Sequence, residues 1–528
     1  MNDRFDVIVV GTGFGGATTA ARLAEGGARV LVLERGRRWT PATYPRKSTD
    51  PWVYQSRRPQ QHNGWIDVRF FRRMIVLQGA GVGGGSLCYS SVVMEADPDL
   101  FEHHWPAEVT YDEMRPYYAR VADMLKVRPI PAGQLTTRGH LLKNTAEQLG
   151  YGDRFNRVPL ALAFDDDWNY ELDDPLGVQH SKPFINDQGQ QQGTCIHLGN
   201  CDIGCDVRAK NTLDINYIPL AEQHGAEVRP LHVVRYIEPD GSGYRVVFDR
   251  IEDGRLVPGS ERAAKVVLAA GSLGTTELLM RSRDQYRTLP NVSRRLGKGW
   301  SPNANFLTPD FFADGDRVRQ GIGPTISAGL DFMDGSINGA RFYIEDDGAP
   351  NILRNALQAR LASPLFRPLT WVLRRELKRG LDEGNPARGL MIWLGEGIDA
   401  GDGELKMGRR FFQPWKKELD LEWRANASRN VTDAILDMHR RLSQTAGGRL
   451  YIPLYWKLFK GMISVHPLGG CAMGDSAATG VVDHTGAVFG YPNLYVSDGA
   501  TLPSPVGRNP SMTIGAIGER VAALMLQD

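Results

Sequence analysis

DVIVVGTGFGGATTAARLAEGGARVLVLER, residues 6–35, decides the fold class. Residues 6–10 are a short β-branched run and form a buried strand. Gly11-Thr12-Gly13-Phe14-Gly15-Gly16 follows. Small and apolar residues then recur at helical spacing and stop at Gly26-Gly27. Residues 29–33 make a second buried strand that ends at Glu34. The stretch is a β-α-β unit. Gly11-x-Gly13-x-x-Gly16 alone is weak in a chain with 59 glycines. Its place after a strand, opening a helix, makes it specific. Gly11 permits the tight turn, Gly13 lets a pyrophosphate approach the backbone, and Gly16 lets helix and strand pack closely. The helix N-terminus faces the phosphates, and Glu34 accepts from a ribose hydroxyl. Phe14, Gly15 and Arg35 complete the contacts expected here. The competing reading is a Gly-rich turn in an unliganded α/β domain.

Such a site takes NAD or FAD. A second cluster, Gly79-Ala80-Gly81-Val82-Gly83-Gly84-Gly85-Ser86, bears on the choice. Residues this small cannot build a core, but they let a flat or charged ligand lie against bare backbone amides. Apolar MIVLQ before it and LCYSSVV after it argue against a flexible linker. Further strands are expected at 266–270, closed by Gly271, and at 494–497, closed by Asp498-Gly499, with a last helix over 511–526. ARFYIED, GLMIWLGEG and KELDLEW, within 310–460, alternate without β-α-β spacing and predict an antiparallel sheet. The fold class is therefore α/β: a Rossmann-like nucleotide domain interleaved with an α+β substrate domain on an antiparallel sheet. Segments 1–45, 75–100, 200–308 and 464–528 are assigned to the first, and 46–74, 101–199 and 309–463 to the second.

Composition narrows the partners. Lys+Arg 62 against Asp+Glu 61 leaves a net charge of +1, which argues against nucleic acid. Five cysteines make no disulfide scaffold and fit a reducing compartment. No apolar run reaches 18 residues, and no signal peptide is read at the start, so the expected location is cytoplasmic. Cys195, Cys201 and Cys205 miss the spacing of iron–sulfur patterns. They read as structural thiols or a disulfide, and no metal site is expected.

Several motifs occur together and in order: GAGVGGGSL at 79–87, AKNTLDINYIPLAEQHGAEVRPLHVV at 209–234, VVLAAGSLGTTELLMRSRD at 266–284, LGKGWSPNAN at 296–305, HPLGGCAMG at 466–474, and NLYVSDGATLPSPVGRNPSMTI at 493–514. In these the chain resembles the glucose-methanol-choline (GMC) flavoprotein oxidoreductases, and most of all the bacterial cholesterol oxidase subgroup. The resemblance implies FAD bound without a covalent link. Covalent members carry a His just after the second glycine cluster, where this chain has Leu87-Cys88-Tyr89. It implies a backbone contact from Val234 to the adenine, with Asp498 and Gly499 along the ribityl-pyrophosphate.

It also places the reacting centre. His466 lies on a Pro- and Gly-constrained loop, where a neutral imidazole makes a good acceptor. A lone His is otherwise more often a core residue bonded to backbone. Asn509 before Pro510 is an ordinary helix start on its own. The resemblance makes Asn509 the second active-site residue, with Pro510 and Met512 beside the flavin and the helix aiming its positive end at the pyrimidine ring. The implied reaction is oxidation of a bulky apolar, sterol-like secondary alcohol. Its proton leaves to His466, its hydride goes to flavin N5, and O2 or another acceptor reoxidises the cofactor. Sterol-oxidising relatives carry a further Glu. Alignment puts that position on Ile344, while Glu345 is one residue along on the other face. Glu345 is thus a candidate catalytic acid, or else a solvated turn acid beside Asp346 and Asp347. Basic, aromatic stretches at 364–381 and 455–460 predict peripheral membrane contact against the alternative of a docked helix. Other alcohols with a lipid-like chain, a plain NAD dehydrogenase and a non-redox flavin-fold lyase are the rival functions. The oligomeric state is left open.

Overall fold

A computed structural model describes residues 5–350, 387–410 and 413–527. Its first sheet is built on the opening β-α-β unit. Phe5–Val10 pairs in parallel with Val30–Leu33, which pairs with Glu227–Arg229. On its other side Phe5–Val10 pairs in parallel with the end of Arg255–Leu268. That long strand has two uses. Its last residues, 266–268, take Leu494–Val496 as a parallel neighbour. Its earlier part closes an antiparallel meander with Gly243–Glu252 and His232–Asp240. The strand expected at 266–270 is therefore the tip of a longer element whose first half is charged and half exposed. The helices Phe14–Glu25 and Ser511–Met525 are locked together by Thr19 Oγ1, which donates to Gly518 O at 3.3 Å, and by Arg22 Nε, which donates to Glu519 at 2.9 Å.

The second sheet is antiparallel throughout, as its alternating sequences predict. Its order is Arg449–Leu450, Phe306–Phe311, Leu390–Gly397, Ala340–Asp347, Ala328–Ile337, Phe155–Arg157. One face is covered by the helix Arg429–Ala446. There, Thr308 Oγ1 meets His439 Nδ1 at 2.8 Å, and Ser443 Oγ and Trp393 Nε1 donate to Asp310. Alternation turns Leu307, Leu394, Ile392 and Asp347 to the opposite face, where they line a large cavity.

A hairpin, Ile66–Phe70 with Met74–Gly79, joins the two halves. Met74–Gly79 leads into the second glycine cluster. It also pairs in parallel with Met462–Ser464, which leads to His466. The division drawn at 74/75 passes through this strand. Among the described residues no helix is long and apolar enough to cross a membrane.

Candidate active site

The cavity holds about 1120 Å³ and runs between the two sheets. That exceeds the usual range of about 300–1,000 Å³ for one small ligand. One end is made of backbone: Gly11, Gly13, Phe14, Gly15, Glu34, Arg35, Gly79, Gly84, Gly85, Val234, Gly271, Asp498, Gly499, Asn509 and Pro510 all line it. The glycines there do two jobs. A Cβ at Gly15 would overlap the carbonyl of Ser497, so Gly15 is required by packing. A Cβ at Gly13 or Gly85 would meet nothing within 4 Å. Space kept bare at a helix start, with no protein atom to fill it, suits a dinucleotide pyrophosphate. The two glycine turns are tied by Thr12, whose Oγ1 accepts from Gly83 N at 3.1 Å and donates to Glu34 Oε2 at 2.7 Å. Glu34 Oε1 also accepts from Gly36 N at 2.8 Å, which orients its carboxylate in the cavity wall. Asp498 is held by Gly271 N at 2.8 Å, Thr275 Oγ1 at 2.5 Å and Ala500 N at 2.7 Å, and burial raises its carboxyl to about 6.

Other expected cofactor residues stand elsewhere. Gly16, Gly81, Val82, Ser86 and Met512 lie behind the wall. Gly16 packs on Gly11 and Ala269, Gly81 faces the Trp39 ring, and Val82 is core. Ser86 Oγ donates to Gly83 O and accepts from Leu213 N. The Arg35 guanidinium is committed to Asp67 at 2.8 Å and lies over Tyr54. After the second cluster, the buried Lys210 ammonium donates to the carbonyls of Leu87, Tyr89 and Cys201, fixing this loop from behind.

Where this cradle meets the rest of the cavity, His466, Asn509, Glu345 and Glu396 converge, the two acids lying behind the wall that His466 and Asn509 line. His466 Nδ1 lies 3.0 Å from Asn305 Nδ2 and 2.9 Å from Glu396 Oε2. Asn305 Oδ1 accepts from Val465 N and His466 N at 3.0 Å each, which settles that the Asn305 amide nitrogen faces the ring. The Asn305 bond to Nδ1 is made, and Glu396 Oε2, though close, has no hydrogen-bond partner. Burial lowers the imidazole to about 3, so it is neutral across the ordinary range. Asn509 does not cap the last helix. Pro510 takes the N-cap position and the helix begins at Ser511. The carboxamide instead turns to the acids: with its nitrogen facing them it donates to Glu345 Oε1 at 2.9 Å and Glu396 Oε1 at 3.0 Å. Glu345 is no solvated turn acid. It is fully buried in Ala340–Asp347, as are its neighbours. Burial, and then Glu396, raise Glu345 well above the usual range, and burial raises Glu396 to about 8. Both hold protons near neutrality.

Sequence reasoning missed Asn305 and Glu396. Glu396 is a lone acid in the apolar run 390–397, and that was its only signal. Asn305 closes a turn in which Asn303 and Ala304 have φ of 56° and 46°. Asn303 Nδ2 donates to Arg508 O, and its Oδ1 accepts from Val506 N and Gly507 N. One turn thus holds both reacting segments, His466 through Asn305 and Asn509 through Asn303. The five cysteines are free thiols, and no cluster of metal ligands occurs among the described residues. Trp456, expected at the surface, is buried against Phe306. Segment 364–381 lies outside the described residues.

Comparison with known proteins gives the family of the chain. A GMC oxidoreductase family profile matches residues 424–518, and an NAD(P)-binding Rossmann-like domain profile matches residues 9–56. The chain is 31% identical to a cholesterol oxidase of Acinetobacter baumannii, over 98% of this chain and 94% of that one. The chain belongs to the GMC oxidoreductase family. A cholesterol oxidase of Mycobacterium tuberculosis is 30% identical over 99% of this chain and 91% of its own length. A formate oxidase of Aspergillus oryzae shares the fold, with TM-score 0.63 and 13% identity, covering 99% of this chain and 98% of that one. As a GMC oxidoreductase the protein is an FAD flavoenzyme that oxidises CH–OH donors and passes the electrons to an acceptor such as O2.

Proposed function

We propose that the alcohol oxidised is a bulky apolar, sterol-like secondary alcohol, with a ketone as product. What carries this reading is the cavity beyond His466. Leu307, Ile326, Ile392, Leu394 and Val465 line it, and it is continuous with the dinucleotide cradle. The cholesterol oxidase names of the relatives agree with it. Gly13, Gly85 and the start of the last helix would hold FAD in the cradle, where it would supply the hydride acceptor. The absence of a His at 87–89 agrees with a non-covalent hold.

The chain's own residues handle the proton. His466 Nδ1 can serve one partner at a time. While it accepts from Asn305, the ring proton sits on Nε2, which then cannot take another. When Glu396 ionises, Nδ1–H is donated to its carboxylate, and Nε2 is free to take the alcohol proton. Asn509 keeps the two acids in place, and Glu345 retains its proton beside them. An anaerobic stopped-flow comparison of sterols with straight-chain alcohols, read by flavin absorbance, tests the substrate. Faster bleaching by the straight-chain set would reject the sterol reading.

Substrate entry from a lipid surface belongs to the same proposal. Phe70, Leu454, Leu458 and Phe459 are 73%, 53%, 69% and 59% exposed, and the exposed Arg72, Arg73, Lys457 and Lys460 surround them. Val465, at the edge of the cavity, is itself 37% exposed.

A further inference from the structure

The cavity wall beyond His466 is not uniformly apolar. Asp347, the last residue of Ala340–Asp347, lines it and is only 8% exposed. Among the described residues nothing donates to it, and its Oδ1 has no partner. Asp202, in the turn Cys201–Ile203, lines the same cavity, with Ser90 Oγ donating to its Oδ1 at 2.8 Å. The nearby cations are used elsewhere. Arg138 donates to the backbone carbonyls of Ile322, Pro324, Thr325 and Asp346, and Lys210 to three carbonyls of its own. A buried carboxyl oxygen without a donor loses the hydrogen bonds that water gave it and gains none in return. Such a group demands an explanation, and a ligand is one.

Register gives the reach. Glu396, beside His466, pairs with Tyr343, and Asp347 pairs with Ile392. Four residues of strand separate the two positions, roughly 13 Å at about 3.3 Å per residue. Leu394 and Ile392 floor the space between them. An alcohol whose carbinol sits at His466 and whose body lies on these two side chains brings its far end to Asp347.

We infer that Asp347, with Asp202 beside it, is a specificity site for a hydrogen-bond donor, a second hydroxyl or an amine, at the far end of the substrate. The inference rests on the reading of this cavity as the alcohol site and narrows it: the preferred substrate is an apolar body polar at both ends. A carboxylate there is disfavoured, because the acids lining that end are Asp347 and Asp202. Burial, then Asp202 and Glu345, hold Asp347 well above the usual carboxylate range, so it meets a ligand as a carboxyl and ionises beside an ammonium.

The test uses one rigid alcohol skeleton with four far ends: methyl, hydroxyl, ammonium and carboxylate. For each, KM and the Kd from perturbation of the flavin spectrum are measured on the holoenzyme. The hydroxyl and ammonium compounds are expected to bind at least about tenfold tighter than the methyl compound, and the carboxylate more weakly than any. Asp347→Leu should bring the hydroxyl-to-methyl ratio to one or below. Asp347→Asn, close to isosteric, should keep the hydroxyl preference and lose that for ammonium. Equal or better binding of the methyl compound by the unaltered enzyme overturns the inference, as does a hydroxyl preference that survives Asp347→Leu. Failure of all four to bleach the flavin would instead strike at the alcohol reading, while the Kd ratios would still judge Asp347.

Discussion

His466 and Glu396 are 2.9 Å apart, one neutral because burial strips its proton, the other neutral because burial keeps its proton. The acid side of this pair sets the pH dependence. The imidazole, lowered to about 3, does not titrate between pH 5 and pH 8 and contributes no acid limb there. Glu396, raised to about 8, loses its proton as pH rises and then takes Nδ1–H, so activity grows with pH. The anaerobic rate of flavin reduction should therefore rise by about two orders of magnitude between about pH 6 and about pH 9. Glu396→Gln should flatten that profile, and a profile that keeps its rise in the variant would remove Glu396 from the proton path. His466→Ala should slow the same rate by about 10²–10⁴-fold, the range for loss of a general base. A full reduction rate in that variant would end the assignment. His466 and Asn509 were readable in sequence because they sit in motifs. Glu396 was not, because its partners lie 70 and 113 residues away along the chain and only folding joins them.

At the level of single elements, the two glycine turns make a contrast that chemistry alone would not show. Gly13 and Gly15 are two residues apart in one motif. One borders open space, and the other is pressed against the Ser497 carbonyl. Gly13→Ala should leave the apoprotein as stable as before but weaken FAD retention by about tenfold, measured by flavin release on dilution. Gly15→Ala should lower the melting temperature of apoprotein and holoenzyme alike. Equal loss of stability in both variants would contradict the division of labour. The glycine motif was legible because a tight backbone approach leaves its mark in the sequence. The meander over residues 232–268 was legible too, with Asp240-Gly241 and Asp253-Gly254 set between alternating runs, but only the tip of its last strand was read from the sequence. The helix start at 510 was misread by one position: Pro510 takes the cap, which frees the Asn509 carboxamide for the acids.

Taken as a whole, the molecule sets a nucleotide sheet against a substrate sheet and puts its chemistry in the seam. The exposed Phe70, Leu454, Leu458 and Phe459 with their four cations give this body one sticky side. Binding to vesicles rich in anionic lipid should fall about tenfold on Arg72→Glu with Arg73→Glu, by cosedimentation, and should weaken with salt. Unchanged binding would leave the patch without a lipid role. The antiparallel class of the second sheet followed from periodicity, but its strand order and its pocket did not, because strand neighbours and walls come from residues far apart in sequence. The turn at 301–305 carries a consequence for how the enzyme is born. It grips segments 160 and 205 residues downstream, and the N-terminal helix docks on the last one. The last helix must therefore leave the ribosome before a working centre can assemble, and the cofactor meets a finished cradle only after that point.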